Sequence, residues 1–176
     1  MMTQRVERFC PILGSEPTVQ KISQYALIVD FDGLFFKKSS HNTTGTAVYA
    51  QTLAPDYRST LAFLEECRRR GHKLFSITTL SSSLFDFLKD IPHSELLFSY
   101  FSDIVCSESF GTQKSDPQLI KHFLAIHHLD PRACVMIDDQ PQALTSALQA
   151  GIIKTVLCKN SDLSLIRSAL ASYGVL

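Results

Sequence analysis

The sequence predicts an α/β fold with a doubly wound, five-stranded parallel sheet. Five short apolar segments alternate with longer segments in which apolar residues recur at helical spacing. The apolar segments are continuous rather than interrupted by polar residues, which is typical of strands buried on both faces of a parallel sheet. Polar residues directly follow three of these segments, and the carboxyl ends of parallel strands are where such sheets bind ligands. We therefore expect one α/β domain with its functional site at that edge.

The domain is predicted to begin at residue 25, after an irregular N-terminal arm at 1–24 that carries prolines, a glycine and little periodicity. Its first strand is the apolar run at 26–29, which stops at two acids and a glycine. Apolar residues then flank a polar, glycine-containing centre at about 34–54, a pattern that predicts a small hairpin flap. The expected domain therefore spans 25–176, with the flap between its first strand and its first helix.

The remaining elements are expected to alternate between helix and strand. Helix ends are predicted where a run of helical periodicity is followed by a glycine or by Asp-Pro, namely at Gly71, at Gly151 and at Asp130-Pro131. The predicted elements are a helix at 56–70, a strand at 73–77, a helix capped by the serines at 81–83, a strand at 100–106, a helix opening at 117, a strand at 134–137, a helix ending at 151, a strand at 154–158 and a helix at 163–173.

Composition and charge argue against several classes of protein. Lys and Arg together number 17, as do Asp and Glu, so the chain has no net positive charge that would attract a polyanion. No nucleic-acid partner is therefore expected. The 5 cysteines include no C-x-x-C pair, which argues against a disulfide framework or a structural zinc site. The sequence contains neither a run long enough to span a bilayer nor a secretory signal pattern. We expect a cytoplasmic protein without membrane association.

Chemically useful side chains follow three of the predicted strands, and a lysine lies on a loop between them. They are Asp30, Asp32, Thr78, Thr79, Asp138 and Asp139, with Lys114 on the loop. In one parallel sheet these groups should meet in the same crevice. The Asp-x-Asp-Gly run alone also fits a turn or a calcium loop. Together the groups suit phosphoryl transfer, because a carboxylate can attack phosphorus while a lysine and a magnesium ion offset the charge.

The same residues resemble, in chain order, the four motifs of the haloacid-dehalogenase-like superfamily of phosphohydrolases, over roughly residues 25–160. The matching segments are Asp30-Phe31-Asp32-Gly33, then Thr78 after a strand, then Lys114-Ser115-Asp116-Pro117, then Asp138-Asp139. The resemblance implies the Rossmann-like core of that superfamily.

The resemblance also implies catalytic roles. Asp30 would be the nucleophile, and Asp32 the acid/base that protonates the leaving oxygen and then activates water. Thr78 would bind the phosphoryl oxygens, with Thr79 taking that role if the strand ends one residue later. Lys114 would bind the phosphoryl group and offset the charge between nucleophile and substrate.

A magnesium ion is the cofactor that the resemblance implies. Its ligands would be Asp30, the backbone carbonyl of Asp32, and Asp139, with Asp138 in or near the metal shell. Family members that are dehalogenases or phosphonatases lack an acid at the position of Asp32. The resemblance therefore favours a phosphatase or a phosphotransferase acting on a phosphorylated substrate.

Four positions depart from the usual family pattern, and they keep a second function open. Leu34 stands where threonine is common, Thr79 where an asparagine often follows, Ser115 where proline is common, and Ala143 where a further Asp or Asn often lies. These departures allow a catalytically weak member that serves as a binding or scaffold protein. A receiver-type signalling domain uses similar groups, but there the lysine comes last, whereas Asp138 and Asp139 follow Lys114 here.

The intervals between the motifs predict a minimal cap. The first interval leaves only 34–54 beside a helix, and the second, 80–113, is filled by a helix and a strand. An open site of this kind would admit a bulky phosphorylated substrate, such as a phosphoprotein or a nucleotide-bearing molecule. The sequence gives no oligomeric state.

Overall fold

The computed structural model describes residues 24–31, 57–90, 94–159 and 162–176. The predicted arm at 1–24, apart from its last residue, and the predicted flap at 34–54 lie outside the described residues, as do Asp32 and Leu34.

Five parallel strands form one sheet, as the sequence predicts. They are β1 (Ala26–Val29), β2 (Lys73–Thr78), β3 (Asp103–Cys106), β4 (Cys134–Asp138) and β5 (Lys154–Leu157). Their spatial order is β3-β2-β1-β4-β5, so β1 lies at the centre of the sheet. In the ladder Val29 is paired with Ser76 of β2 and with Ile137 of β4. The carboxyl ends of these three strands therefore lie side by side.

Helices cover both faces of the sheet. They are α1 (Tyr57–Arg69), α2 (Ser82–Lys89), α3 (Ser94–Phe98), α4 (Pro117–Ile126), α5 (Pro141–Gln149) and α6 (Leu163–Ser172), with 3-10 turns at Ser107–Phe110 and Pro131–Ala133. Successive β1 side chains point to opposite faces. Leu27 belongs to the apolar cluster that includes residues of α1 and α6, and Ile28 to the cluster that includes residues of α4 and α5. The fold is therefore the predicted doubly wound α/β core, and no separate cap domain occurs among the described residues.

The third strand is shorter than predicted, and a helix absent from the prediction precedes it. The segment expected as a strand at 100–106 forms β3 only from Asp103, and residues 94–98 form α3. The apolar residues Leu97 and Phe98 lie on a helix too short to display a helical period, which is why pattern alone could not separate helix from strand here.

No described helix has the length and the apolar composition needed to cross a membrane.

Candidate active site

Asp30 follows the central strand at the carboxyl edge of the sheet. Its backbone N–H donates to the carbonyl of Ile137 at 3.0 Å, which extends the β1–β4 pairing by one residue. The next residue, Phe31, is fully buried and packs against the rings of Phe98 and Phe101, at centroid separations of 5.4 and 5.0 Å. Pairing on one side and aromatic packing on the other fix the backbone that carries Asp30. Asp30 is only 2 % exposed.

Lys114 lies in the loop before α4 and is 1 % exposed. Its Nζ lies 2.6 Å from Oδ1 of Asp30 and 2.9 Å from Oδ2 of Asp138. A buried ammonium is tolerated only when it is paired and hydrogen-bonded, and here two carboxylates supply the pairing. Lys114 therefore connects the tip of β1 to the tip of β4.

The Lys114 loop is held by the start of α4 and by the neighbouring helix α5. Asp116 is the N-cap of α4: its carboxylate accepts from the N–H of Gln118 at 2.9 Å and from the hydroxyl of Thr112 at 2.9 Å. Ser146 of α5 donates its hydroxyl to the carbonyl of Ser115 at 2.6 Å. Both ends of the short loop are thus anchored around the lysine.

Asp138 ends β4, and with Asp139, the residue after it, completes an acidic cluster. Asp138 is 1 % exposed, and both of its oxygens accept hydrogen bonds, Oδ2 from Lys114 and Oδ1 from the N–H of Gln140 at 2.8 Å. Asp30, Asp138 and Asp139 each present a carboxylate oxygen, and these atoms all lie within 4.8 Å of one another. Three carboxylates against one lysine leave this cluster with an excess of negative charge.

The cluster fits a magnesium ion. Carboxylate oxygens are the hard donors that Mg²⁺ takes, at about 2.0–2.1 Å, so opposite ligands of an octahedral site lie roughly 4 Å apart. Oxygens within 4.8 Å of one another can therefore converge on one ion. The excess negative charge is what a divalent cation offsets.

The two threonines lie at the same edge but in different surroundings. Thr78 is the last residue of β2 and is fully buried, and its Oγ1 accepts from the N–H of Leu80 at 3.3 Å. Thr79 is exposed and lines a cavity of about 370 Å³ together with Lys114 and Gln140. Of the two side chains, that of Thr79 faces the cavity beside Lys114.

The remaining positions named from the sequence fall into two groups. Asp32 and Leu34 lie outside the described residues, so their roles stay predictions. Ala143 is 1 % exposed and packs in the apolar cluster that includes Ile28. A side chain there contacts the core.

Ser146 and Phe31 support the site but were not identified as functional from the sequence. Ser146 interrupts the apolar face of α5 between Leu144 and Ala147 and is 3 % exposed. A serine on the apolar face of a predicted helix can be recognised in the sequence as a residue that needs a hydrogen-bond partner, because a buried hydroxyl is normally hydrogen-bonded. The hydroxyl lies 3.1 Å from the Gln142 carbonyl one turn earlier in α5, and its shorter contact with the Ser115 carbonyl, 31 residues away in the sequence, is visible only in the fold.

The cysteines that the structure describes are free and buried, and they pack in the core. Burial is the main cause that raises the pKa of Cys67 and of Cys134 to about 12, and that of Cys158 to about 11. Burial likewise raises the pKa of Cys106, at the tip of β3. These thiols remain protonated near neutral pH, which excludes them as nucleophiles.

Fold and site together define an α/β protein whose described strands form one sheet, with a lysine-bridged carboxylate cluster that could hold a cation at the carboxyl edge of the central strands. The model of the haloacid dehalogenase-like hydrolase family matches residues 39–157, which is more than half of the chain. The chain therefore belongs to that family, and the family expected from its motifs is confirmed. The matched segment contains Thr78, Lys114, Asp138 and Asp139 and begins after Asp30.

Solved structures share the fold at low sequence identity. The magnesium complex of a HAD-family enzyme from Bacteroides thetaiotaomicron has a TM-score of 0.68 and 16% identity, covering 83% of this chain and 99% of that one. A predicted HAD-like family hydrolase from Porphyromonas gingivalis has a TM-score of 0.67 and 14% identity, covering 85% and 98%. The core domain of a candidate phosphoglycolate phosphatase from Streptococcus pneumoniae TIGR4 has a TM-score of 0.56 and 21% identity, covering 86% and 98%. No curated protein matches the chain.

Proposed function

We propose that this hydrolase is a magnesium-dependent phosphatase that acts through an aspartyl-phosphate on Asp30. The observation that carries the proposal is the buried Asp30 carboxylate, 2.6 Å from the Lys114 ammonium and within the three-carboxylate cluster. The Bacteroides enzyme with this fold, at a TM-score of 0.66 and 15% identity, is a complex with magnesium and inorganic phosphate. Family membership, the likeness of fold and the chemistry of the cluster support the same reaction class.

In the proposed first step, a carboxylate oxygen of Asp30 attacks phosphorus. A new P–O bond to Asp30 forms while the P–O bond to the leaving alcohol breaks, and Asp32 gives its proton to the departing oxygen. Lys114 offsets the negative charge that accumulates between the carboxylate and the phosphoryl oxygens. The threonines at the tip of β2 hold those oxygens.

In the proposed second step, Asp32 removes a proton from water, and the water oxygen attacks phosphorus of phospho-Asp30. The acyl phosphate bond breaks, inorganic phosphate leaves, and Asp30 returns to a carboxylate. Asp32 regains the proton that it lost in the first step, so the cycle balances. Transfer to an alcohol instead of water would make the protein a phosphotransferase.

Magnesium, when bound, would supply positive charge that brings the phosphoryl dianion and the Asp30 carboxylate together. Asp30 and Asp139 would hold it, with the backbone carbonyl of Asp32. Both oxygens of Asp138 already accept hydrogen bonds from Lys114 and from the Gln140 N–H, so we assign Asp138 the role of holding Lys114 in place.

Phosphate release from a panel of phosphomonoesters, measured with magnesium and with a chelator, tests the proposal. The panel includes phosphoglycolate as well as phosphoproteins and nucleotides. Wild-type protein should release phosphate only with magnesium, and Asp30→Asn should abolish release while the far-ultraviolet circular dichroism stays unchanged. Asp103→Asn is the matched control, because Asp103 is the exposed first residue of β3, at the opposite edge of the sheet.

A catalytically weak binding protein is the alternative, motivated by Leu34, Thr79 and Ala143. It predicts magnesium binding without turnover of any member of the panel. Acid-quenched protein that has been incubated with labelled substrate should carry label on the wild type and none on Asp30→Asn if the aspartyl-phosphate forms. Turnover that persists in Asp30→Asn would contradict the proposed nucleophile.

A further inference from the structure

A polar cavity of about 370 Å³ adjoins the cluster and shares Lys114 with it. The side chains that line it come from the end of β2, from the 3-10 turn after β3, from the Lys114 loop and from the start of α5. They include Thr79, Ser107, Glu108, Thr112, Lys114 and Gln140. Because Lys114 borders both the carboxylate cluster and this cavity, a molecule whose phosphoryl group lies at Asp30 could place the rest of its structure here.

The lining offers hydroxyl and amide groups and very little charge. Its described side chains are all polar, and only Glu108 and Lys114 are charged. Hydroxyl and amide groups both donate and accept hydrogen bonds, so they match the hydroxyl groups of an alcohol. None of the residues that line the cavity has an aromatic or aliphatic side chain.

Glu108 is exposed at the cavity, and a hydrogen bond to the backbone orients its carboxylate. Its Oε2 accepts from the backbone N–H of Ser82 at 2.8 Å, across 26 residues of sequence. Ser82 is the first residue of α2, so the positive end of that helix stabilises the carboxylate where it lies.

Lys114 does not neutralise this carboxylate. Its ammonium already contacts Asp30 at 2.6 Å and Asp138 at 2.9 Å. The balance of charge in the cavity is therefore negative, and a second anionic group on a substrate would be repelled by Glu108.

We propose that Glu108 is a specificity-determining residue that selects phosphomonoesters of neutral, hydroxyl-bearing alcohols and rejects those whose alcohol carries a second anion. This inference rests on the proposed phosphatase function. It narrows the substrate from any phosphomonoester to monophosphates of small polyols or sugars, a narrower class than the bulky substrates that an open site alone would admit.

A matched pair of compounds tests the selection. Glycerol 3-phosphate and 3-phosphoglycerate have the same length and differ in one terminal group, a hydroxymethyl in the first and a carboxylate in the second. The ratio of their kcat/KM values and the ratio of their Kd values with magnesium are measured for the wild type, for Glu108→Gln and for Glu65→Gln. Glutamine keeps an oxygen that can accept from Ser82 and removes only the charge. Glu65 lies on α1 in an exposed ion pair with Arg68 and controls for the loss of one acid.

The wild type and Glu65→Gln should prefer glycerol 3-phosphate by about tenfold or more, and Glu108→Gln should bring the ratio to within about twofold of unity. The wild-type preference should shrink as salt is raised from about 0.05 to 0.5 M, because the repulsion is electrostatic. Equal use of both compounds by the wild type would overturn the inference. So would a ratio that Glu108→Gln leaves unchanged, since Glu108 would then only cap α2.

The binding measurement separates this inference from the proposed function. Discrimination in Kd without phosphate release would contradict the phosphatase proposal and support the role of Glu108. Turnover without discrimination would support the phosphatase and overturn the role of Glu108. A protein that binds neither compound would overturn the role of Glu108, while release of phosphate from another member of the panel would still support the phosphatase.

Discussion

Lys114 shows how one side chain can serve both stability and chemistry. With an exposure of 1 %, it separates Asp30 and Asp138, whose carboxylates would otherwise repel each other across a buried gap. Removing one member of a buried ion pair costs about 3–5 kcal/mol, because the remaining charge is left uncompensated. The lysine is therefore required for the acids to be buried together, as well as for any phosphoryl group that approaches them.

Asp138, the last residue of β4, accepts a hydrogen bond from Lys114, and Asp139 follows it in the sequence. The proposed mechanism gives the two acids different roles, which can be tested. Without magnesium, Asp138→Asn should lower the free energy of unfolding by about 1–3 kcal/mol, because it weakens a charge-assisted hydrogen bond to Lys114. Asp139→Asn removes negative charge from the same cluster, and its effect is expected in magnesium binding. Urea unfolding and calorimetric titration with magnesium measure both effects.

In the titration, Asp139→Asn should weaken magnesium binding by at least about tenfold, and Asp138→Asn should do so less. Asp103→Asn is the control, because Asp103 lies at the amino ends of the strands, away from the acidic cluster, and this variant should bind magnesium like the wild type. An equal loss of magnesium affinity in Asp138→Asn and Asp139→Asn would show that Asp138 contributes as much to magnesium binding as Asp139, and would contradict this division of roles.

At the scale of residues, the sequence identifies groups that follow strands and misses groups that support them. Asp30, Asp138 and Asp139 could be predicted because a buried strand that ends in acids is a local pattern. The contacts of Ser146 with Ser115 and of Glu108 with Ser82 could not be predicted in this way, since they join residues 31 and 26 positions apart. Such contacts depend on how whole elements are placed.

At the scale of elements, α5 positions the Lys114 loop through Ser146. Ser146→Ala should remove the hydrogen bond to the Ser115 carbonyl and lower the free energy of unfolding by about 1 kcal/mol. Because the loop carries Lys114, kcat on the best substrate should fall by about three- to tenfold, equivalent to roughly 1 kcal/mol in the barrier. Steady-state kinetics and urea unfolding give the two quantities.

The neighbouring residue on the same helix supplies the control for that change. Thr145 donates its hydroxyl to the carbonyl of Pro141 within α5 and is exposed. Thr145→Ala removes a comparable hydrogen bond without touching the Lys114 loop, so kcat should stay at the wild-type value. A fall in kcat that is the same for both variants would assign the effect to α5 as a whole and contradict the specific role of Ser146.

The elements with strong local signals could be predicted from the sequence, and the short ones could not. Gly71 follows α1 with a φ of +85°, the left-handed conformation that commonly ends a helix. Asp116 and Pro117 begin α4, as expected of an N-cap residue followed by proline. The five residues of α3 carry no such signal. Their apolar side chains join the core only in the folded chain, where Leu97 is buried in the apolar cluster and the ring of Phe98 packs against those of Phe31 and Phe85.

For the whole molecule, the strand order explains why the site residues meet. The sequence predicts five strands and their alternation with helices, yet no local pattern states which strands are neighbours. The order β3-β2-β1-β4-β5 places β4 beside β1, and thereby brings Asp138 to Lys114 and Asp30. The right-handed crossovers of parallel α/β sheets make such an order accessible, and burial of the apolar strands stabilises it.

The opposite edge of the sheet carries a contact that joins the end of the described chain to its first strand. His72 is 6 % exposed; its Nδ1 accepts from the N–H of Tyr25 at 3.2 Å, and its Nε2 lies 2.8 Å from the carbonyl of Val175. These partners fit a neutral ring that carries its proton on Nε2. One imidazole thus satisfies two backbone groups that no other side chain is seen to reach among the described residues.

His72→Ala should leave both backbone groups buried without their partner and lower the free energy of unfolding by about 2–5 kcal/mol. The midpoint of urea unfolding at 25 °C measures this loss. Below the unfolding transition, kcat should remain at the wild-type value, because His72 precedes β2 at the amino edge, whereas the acidic cluster lies at the carboxyl edge.

His122→Ala is the control for this change, because it removes an exposed histidine of α4. It should change the free energy of unfolding by less than about 1 kcal/mol. A loss of kcat in His72→Ala at full occupancy of the folded state would show that the two edges of the sheet are coupled. Equal stability of His72→Ala and the wild type would show that water can replace the imidazole at both backbone groups.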